Sequence, residues 1–373
     1  MIMNKSELKA PFVYFGGKAK AASEVWRRFG DVRNSIEPFF GSGAVLLKRP
    51  LPFQGYETVN DLDGMVVNFW RSIRKDPDLV AKYADWPSFE NDKNARHAWL
   101  VGKKKSLRAK LEGDPEYCNP KIAGWWVWGI SVWIGSGFCS GNGPWRVVDG
   151  RLIKTGEKGD ISRQIIYLGG PRGIMTTEKA GIRRCKSRSE DVGCRVTDRD
   201  GMIAWFKKLQ DRFRNVRIAC GGWERVCGGK SGESIDCFFA GGGNKCGIFL
   251  DPPYSDVANR ESKIYVNDSL SVAHDVREWC KKWGGDKRFR IALCGYDVEH
   301  QELESLGWSV HRWKATGGWS SLSKKEGGSQ AKKNAKRECI WFSPHCIEGV
   351  DTTLGFYGGD PNMWNRKVEE DSK

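Results

Sequence analysis

Gly247-Ile248-Phe249-Leu250-Asp251-Pro252-Pro253-Tyr254 is a short apolar run stopped by an acid, two prolines and an aromatic. A run of that length, apolar at each step, reads as a strand buried on both faces of a sheet. In an open α/β sheet, ligands bind beyond the carboxyl ends of the strands, so Asp251 to Tyr254 stand where a polar pocket belongs. Proline also serves simply to end a strand. The motif therefore needs company before it carries a function.

That company lies upstream. Glu37-Pro38-Phe39-Phe40-Gly41-Ser42-Gly43 follows a short strand ending at Ile36 to Phe39, and its glycines let backbone approach a ligand closely. The pattern predicts that the loop opens a helix through Ala44 to Leu47. A second strand, about Tyr56 to Val59, stops at Asn60-Asp61, placing an acid twenty residues after Gly41 at a strand end, where it reaches ribose hydroxyls. The G-x-G is shorter than a dinucleotide fingerprint, so the pair suggests an adenosine moiety without a pyrophosphate. An amphipathic helix is expected from about Ala21 to Phe29. Further strands are expected at Val216 to Cys220, Ile291 to Cys294 and Cys339 to Phe342, so the two blocks read as halves of one α/β domain.

Between them the composition changes. From Trp86 to about Trp205 come a basic helical stretch with Lys103-Lys104-Lys105, a tryptophan cluster (Trp125, Trp126, Trp128, Trp133, Trp145) and Gly- and Arg-rich sequence. Residues 151–217 hold 17 Lys and Arg against 8 Asp and Glu, nine of the chain's fifteen surplus positive charges. A second basic segment, Gly317 to Arg337, is Gly- and Ser-rich and reads as a loop. The 373 residues, with pI near 9.2 and mean hydropathy −0.54, suit a basic protein with a polyanionic partner. The longest apolar stretch, Trp125 to Ile134, is too short to span a bilayer, and no secretory signal opens the chain, which places it in the cytoplasm, with no membrane. The twelve cysteines include no C-x-x-C pair and the five histidines are not spaced with them, so no metal is expected. Cys139, Cys220, Cys246 and Cys294 read as small hydrophobes.

In this order, the motifs resemble the Dam-like DNA adenine methyltransferases, those with the glycine motif before the recognition region and D-P-P-Y after it, of the phage or prophage type. The resemblance runs from Pro11 to about Pro344. Tyr14-Phe15-Gly16-Gly17-Lys18 is similar to the N-terminal motif that closes over the cofactor methionine. Glu37, Pro38, Phe39, Gly41, Ser42 and Gly43 resemble the cofactor loop, and Asn60-Asp61 the ribose-binding acid. Trp133 to Trp145 resembles the segment leading into DNA recognition, while Ala292 to Asp297 and Arg337 to Phe342 resemble later strands. The resemblance implies an α/β fold: a Rossmann-like sheet of an S-adenosylmethionine-dependent methyltransferase with an inserted, mainly helical target-recognition domain. Its parts are residues 1–86 and 205–346 as the catalytic domain, 87–204 as the insert and 347–373 as an extension.

The implied reaction is site-specific methylation of the adenine 6-amino group in double-stranded DNA, from S-adenosylmethionine, with base flipping and direct transfer. That nitrogen is a poor nucleophile, its lone pair delocalised into the ring. Asp251 and the Pro252 carbonyl, with Pro253 fixing the backbone, would each accept an amino hydrogen, and Tyr254 would stack on the flipped base. Arg183, Arg184, Arg188, Arg195, Lys324, Lys325, Lys332 and Lys333 are the candidate DNA contacts. Lys18 is expected at Asp251 or at the cofactor carboxylate. One departure stands out: the family commonly has an acid before an aromatic after the strand ending at Cys220, to contact the cofactor adenine, and here the sequence is Gly221-Gly222-Trp223-Glu224. Either the contact is lost or Glu224 replaces it, with Trp223 stacking on the adenine or packing in the core. A cytosine 4-amino methyltransferase, which usually has Ser at the Asp251 position, and a catalytically silent DNA-binding protein are the alternatives. Whether a restriction endonuclease accompanies the enzyme is open.

Overall fold

The computed structural model describes residues 8–12, 14, 17–87, 90–133, 138–139, 145–148, 151–154, 199–228, 245–254, 271–313 and 337–348. Seven strands form one sheet: β1 (Asn34–Glu37), β2 (Glu57–Asp61), β5 (Val216–Cys220), β6 (Cys246–Leu250), β7 (Phe289–Tyr296), β8 (Ser309–Arg312) and β9 (Glu338–Phe342). Their order is β5-β2-β1-β6-β7-β9-β8. The first five run parallel; β9 lies antiparallel to both β7 and β8. Every residue of β2, β6 and β9 is buried; β6 and the Cys339 to Phe342 run of β9 are continuously apolar, as strands covered on both faces are, whereas β2 buries the polar Glu57, Thr58, Asn60 and Asp61. The early and late halves of the chain therefore do build one sheet. The chain leaves β1 toward β2 on one side and enters β6 and β7 on the other, so the β1/β6 boundary is the switch point at which a ligand crevice opens.

The helices follow their sequence signals. In α1 (Ala22–Phe29), Ala22, Val25, Trp26 and Phe29 form the buried face, and the helix stops at Gly30. Asp63 caps α2 (Gly64–Lys75) by accepting from the Met65 amide. Asp76 with Pro77 starts α3 (Pro77–Ala84), and Asn119 with Pro120 starts α5 (Pro120–Val132). The segment between the two halves also contributes α4 (Glu90–Gly113), which carries Lys103 to Lys105, and an antiparallel pair, β3 (Trp145–Val148) with β4 (Arg151–Lys154). Trp126 of α5 packs in one core with α2, α3 and α6 (Arg199–Phe213). Trp128 is fully buried, and the Arg96 guanidinium lies 4.4 Å from its ring centre and 4.8 and 4.9 Å from those of Trp86 and Trp125. The tryptophans here serve packing and a cation held among aromatic faces.

One expectation fails. No α-helix follows the glycine loop; Leu46–Lys48 make only a 3₁₀ turn. Pro50 and Pro52 follow at once, leaving too few residues for a helix to gain more from propagation than it loses in nucleation.

The β5 edge of the sheet is closed by arginines. The carbonyls of its alternate residues Val216, Ile218 and Cys220 accept from Arg74 at 2.9 Å, Arg71 at 3.1 Å and Arg225 at 2.7 Å. Capped this way, the edge cannot readily add a further strand. Cys139, Cys220, Cys246 and Cys294 are buried free thiols, and burial pushes each thiol up from its ordinary pKa. No described helix is long and apolar enough to cross a membrane.

Candidate active site

A cleft of about 270 Å³ opens at the switch point, walled by the ends of β1, β2 and β6 and by the turn after β5. On the β1 and β2 side, backbone geometry builds the wall. Gly41 has φ +51°, and a Cβ there would lie 2.7 Å from the Tyr14 ring, so only glycine fits. Trp70 of α2 supports the loop by donating to the Gly41 carbonyl at 3.0 Å. Asp61 ends β2 and accepts the Gly41 amide through one carboxylate oxygen and the Asp63 amide through the other, both at 2.8 Å. Burial, then the charge of Asp63, push the Asp61 carboxyl up to about 7, against those amide bonds. Asn60 does not line the cleft; its side chain donates to the carbonyls of Pro38 and Gly221, tying two loops together.

Glu37, at the end of β1, lines the cleft and is buried, yet its Oε1 meets no hydrogen-bond donor among the described residues. Burial, then the nearby charge of Glu57, push its carboxyl well above the ordinary range. Such an acceptor is costly unless a ligand donates to it.

The β6 side is built from charge. Asp251 follows Leu250, and its Oδ1 lies 2.9 Å from the ammonium of Lys18, which is only 2% exposed. Glu338, the first residue of β9, lies 3.6 Å from the same ammonium and accepts the Tyr254 hydroxyl at 2.7 Å. Burial pushes the Asp251 carboxyl up to about 6; Lys18 is the strongest influence holding it down. Tyr254 is buried, edge-on to Tyr296 at 4.6 Å.

Tyr14, Gly17, Lys18, Glu37, Pro38, Phe39, Gly41, Ser42, Asp61, Trp223, Asp251 and Pro253 thus come together around one cleft. Gly43, Asn60, Pro252 and Tyr254 are not among the residues that line it. Phe15, Gly16, Arg183, Arg184, Arg188, Arg195, Lys324, Lys325, Lys332 and Lys333 lie outside the described residues. Trp223 is a core residue as well as a wall, edge-on to Trp279 at 6.2 Å. The sequence reading gave no role to Asp63, Phe249 or Val272, which also line the cleft, or to Glu338 behind it. For Glu338 there was a signal: an acid opening the apolar run Cys339 to Phe342.

The turn after β5 answers the departure at Gly222. A Cβ on Gly222 would lie 2.5 Å from Glu224 Oε2. The Glu224 carboxylate fills the space into which a side chain at position 222 would project.

No curated protein matches the chain. Residues 14–106 match the family model of the D12 class N6 adenine-specific DNA methyltransferases, a stretch that holds Lys18, the glycine loop and Asp61. With that match on one wall of the cleft and D-P-P-Y on the other, the chain reads as an adenine-specific DNA methyltransferase, similar to this family over residues 14–106.

Proposed function

We propose that the protein transfers a methyl group from S-adenosylmethionine to the 6-amino group of an adenine flipped out of double-stranded DNA, at a specific site, in the cytoplasm. The observation that carries this reading is the convergence of Asp61, Asp251 and the unsatisfied Glu37 carboxylate on one cleft. The donor set suits the cofactor: Glu37 would take its ammonium, Asp61 its ribose hydroxyls and Glu224 its adenine amino group. When bound, S-adenosylmethionine supplies an electrophilic methyl on a positively charged sulfur.

Asp251 and the Pro252 carbonyl each accept one hydrogen of the target amino group, drawing its nitrogen toward tetrahedral geometry and aiming its lone pair. With the cofactor bound, that lone pair would take the methyl carbon and the sulfur would keep the C–S electron pair. One amino proton then leaves through Asp251 to water. Tyr254 is the aromatic that stacks on the flipped base, a contact for which its ring must turn out of the packing against Tyr296.

Recognition belongs to the insert between α3 and α6, with Arg183, Arg184, Arg188 and Arg195 its candidate base readers, and Lys324, Lys325, Lys332 and Lys333 binding phosphates. If these regions neutralise about six phosphates, log affinity falls against log salt with a slope of about −5. Methylation-sensitive long-read sequencing of DNA from cells expressing the protein tests the reading. Methyladenine at one motif is the expected result. Methylcytosine would move the chain to the cytosine 4-amino class, and no modified base would favour a silent DNA-binding protein.

A further inference from the structure

The charges behind the cleft do not pair one to one. Asp251 and Glu338 share the single ammonium of Lys18, and the Glu338 oxygen nearest that ammonium also accepts the Tyr254 hydroxyl. With both carboxylates ionised the cluster is net negative, its Lys18 and Glu338 buried and its Asp251 partly so. Strand pairing places it there: Glu338 of β9 stands opposite Tyr296 of β7 in antiparallel register, and Tyr296 packs on Tyr254. Glu338 is buried and does not line the cleft.

We propose that Glu338 is a positioning residue of the transfer reaction: as second counter-ion of Lys18 and acceptor of the Tyr254 hydroxyl, it keeps the cluster of Asp251, Lys18 and Glu338 net negative toward the adenine amino group. This rests on the assignment of Asp251 made above. Methyl transfer moves one positive charge from sulfur to the adenine nitrogen, and therefore toward Asp251. An aspartate neutralised by an ammonium of its own would stabilise that arriving charge weakly. A second carboxylate on the far side of Lys18 restores a fixed negative field, and such a field acts strongly where water is excluded. The other groups around Asp251 are Cys294 of β7, Tyr254 beyond β6 and Glu37 of β1. Of all of these, Glu338 is the one that touches both Lys18 and Tyr254 without entering the cleft.

The test compares the wild type with Glu338→Gln and Glu338→Asp, following transfer of a labelled methyl group to DNA across pH and binding of S-adenosylmethionine by calorimetry. Glu338→Gln is expected to lower kcat by roughly tenfold to a hundredfold, the range for a lost hydrogen bond to a charged group, with cofactor affinity unchanged. Removing a like charge that raises Asp251 should also move the acid limb of the kcat profile to lower pH. Glu338→Asp, which keeps the charge, should leave the limb in place and recover part of kcat. A Glu338→Gln enzyme with wild-type kcat and an unmoved limb overturns the proposal. So does a loss of kcat with no movement of the limb, which would mark a purely structural contact. Should Glu338→Gln not fold, Glu338→Asp decides alone: full wild-type kcat, or a displaced limb, would overturn the inference. A wild-type protein that transfers no methyl to adenine would instead sink the underlying assignment.

Discussion

Asp61 and Asp251 are the same residue type, each at the carboxyl end of a parallel strand, Asp61 buried and Asp251 partly so, and each pushed up by loss of solvent, to about 7 and about 6. What holds them differs. Asp61 is gripped by two backbone amides, neutral donors fixed by the glycine loop and the start of α2. Asp251 is gripped by the buried Lys18 ammonium, a full charge shared with Glu338. Backbone donors fix geometry and leave the spare lone pairs for a neutral ligand group such as a hydroxyl. A shared ammonium sets the field that a change of charge will meet. One side of the cleft is built to bind, the other to respond to chemistry.

The strongest way to break that contrast is Asp251→Ala. Removing the group that accepts a target hydrogen should lower kcat by at least about a hundredfold to a thousandfold, as loss of a preorganised transition-state contact does. The fold should survive, because Glu338 remains as counter-ion to Lys18. Labelled methyl transfer and thermal melting measure both. Near-normal turnover would remove chemistry from the β6 side altogether.

Asp61→Ala should give the opposite pattern. Cofactor binding, measured by calorimetry without DNA, is expected to weaken by about 1.5–3 kcal/mol, while kcat at saturating cofactor stays near wild type. If kcat collapsed and affinity held, the two walls would have exchanged roles.

The contrast also shows what a sequence can carry. The strand ends and the acids on them were legible because period, proline and glycine are local signals: β5 falls where expected, and β1, β6 and β9 within a residue or two. The helix expected through Ala44 to Leu47 does not form, because Pro50 and Pro52 close behind the glycine pattern leave no length for it. Asn60 reads in sequence as a partner of Asp61 in the binding site, and nothing local says that its side chain turns away to Pro38 and Gly221, the latter 161 residues on. Glu338 gained no role because its partners, Lys18 and Tyr254, reach it only through the β7/β9 pairing. Local pattern places a residue on an element, and long-range pairing decides what it touches.

A smaller effect separates the carboxylates by pH. Asp61 sits above its ordinary pKa in the folded protein, so its protonated form is the one that folding favours. The stability it contributes is complete below the ordinary carboxylate range and is lost as pH rises through about 7. Denaturant melts of the cofactor-free protein should show Asp61→Asn gaining relative to the wild type between pH 5 and pH 8, by something on the order of 1–2 kcal/mol. Acids held low by cations, such as the half-buried Asp286 beside Arg288, work in the reverse sense and are common to both proteins. A difference that did not change with pH would mean that Asp61 is ionised throughout, its amide donors outweighing burial.

The smallest expected effect concerns Glu224 and sharpens the binding side. Its carboxylate occupies the space in front of Gly222, so it can present an acid to the cleft from two residues further along. Glu224→Gln keeps the shape and an acceptor oxygen while removing the charge, and should weaken cofactor binding by about 0.5–1.5 kcal/mol, the scale of one ordinary hydrogen bond. Gly222→Asp alone should not strengthen binding, because the added Cβ would fall 2.5 Å from Glu224 Oε2 and the two carboxylates would repel. Gly222 does not have a positive φ, so its backbone accepts a side chain once Glu224 is out of the way. The double variant Gly222→Asp with Glu224→Ala should therefore bind the cofactor as tightly as the wild type, one acid standing in for the other. If the double variant binds as poorly as Glu224→Ala by itself, the position of the carboxylate matters more than its presence, and the turn after β5 is shaped for glutamate alone.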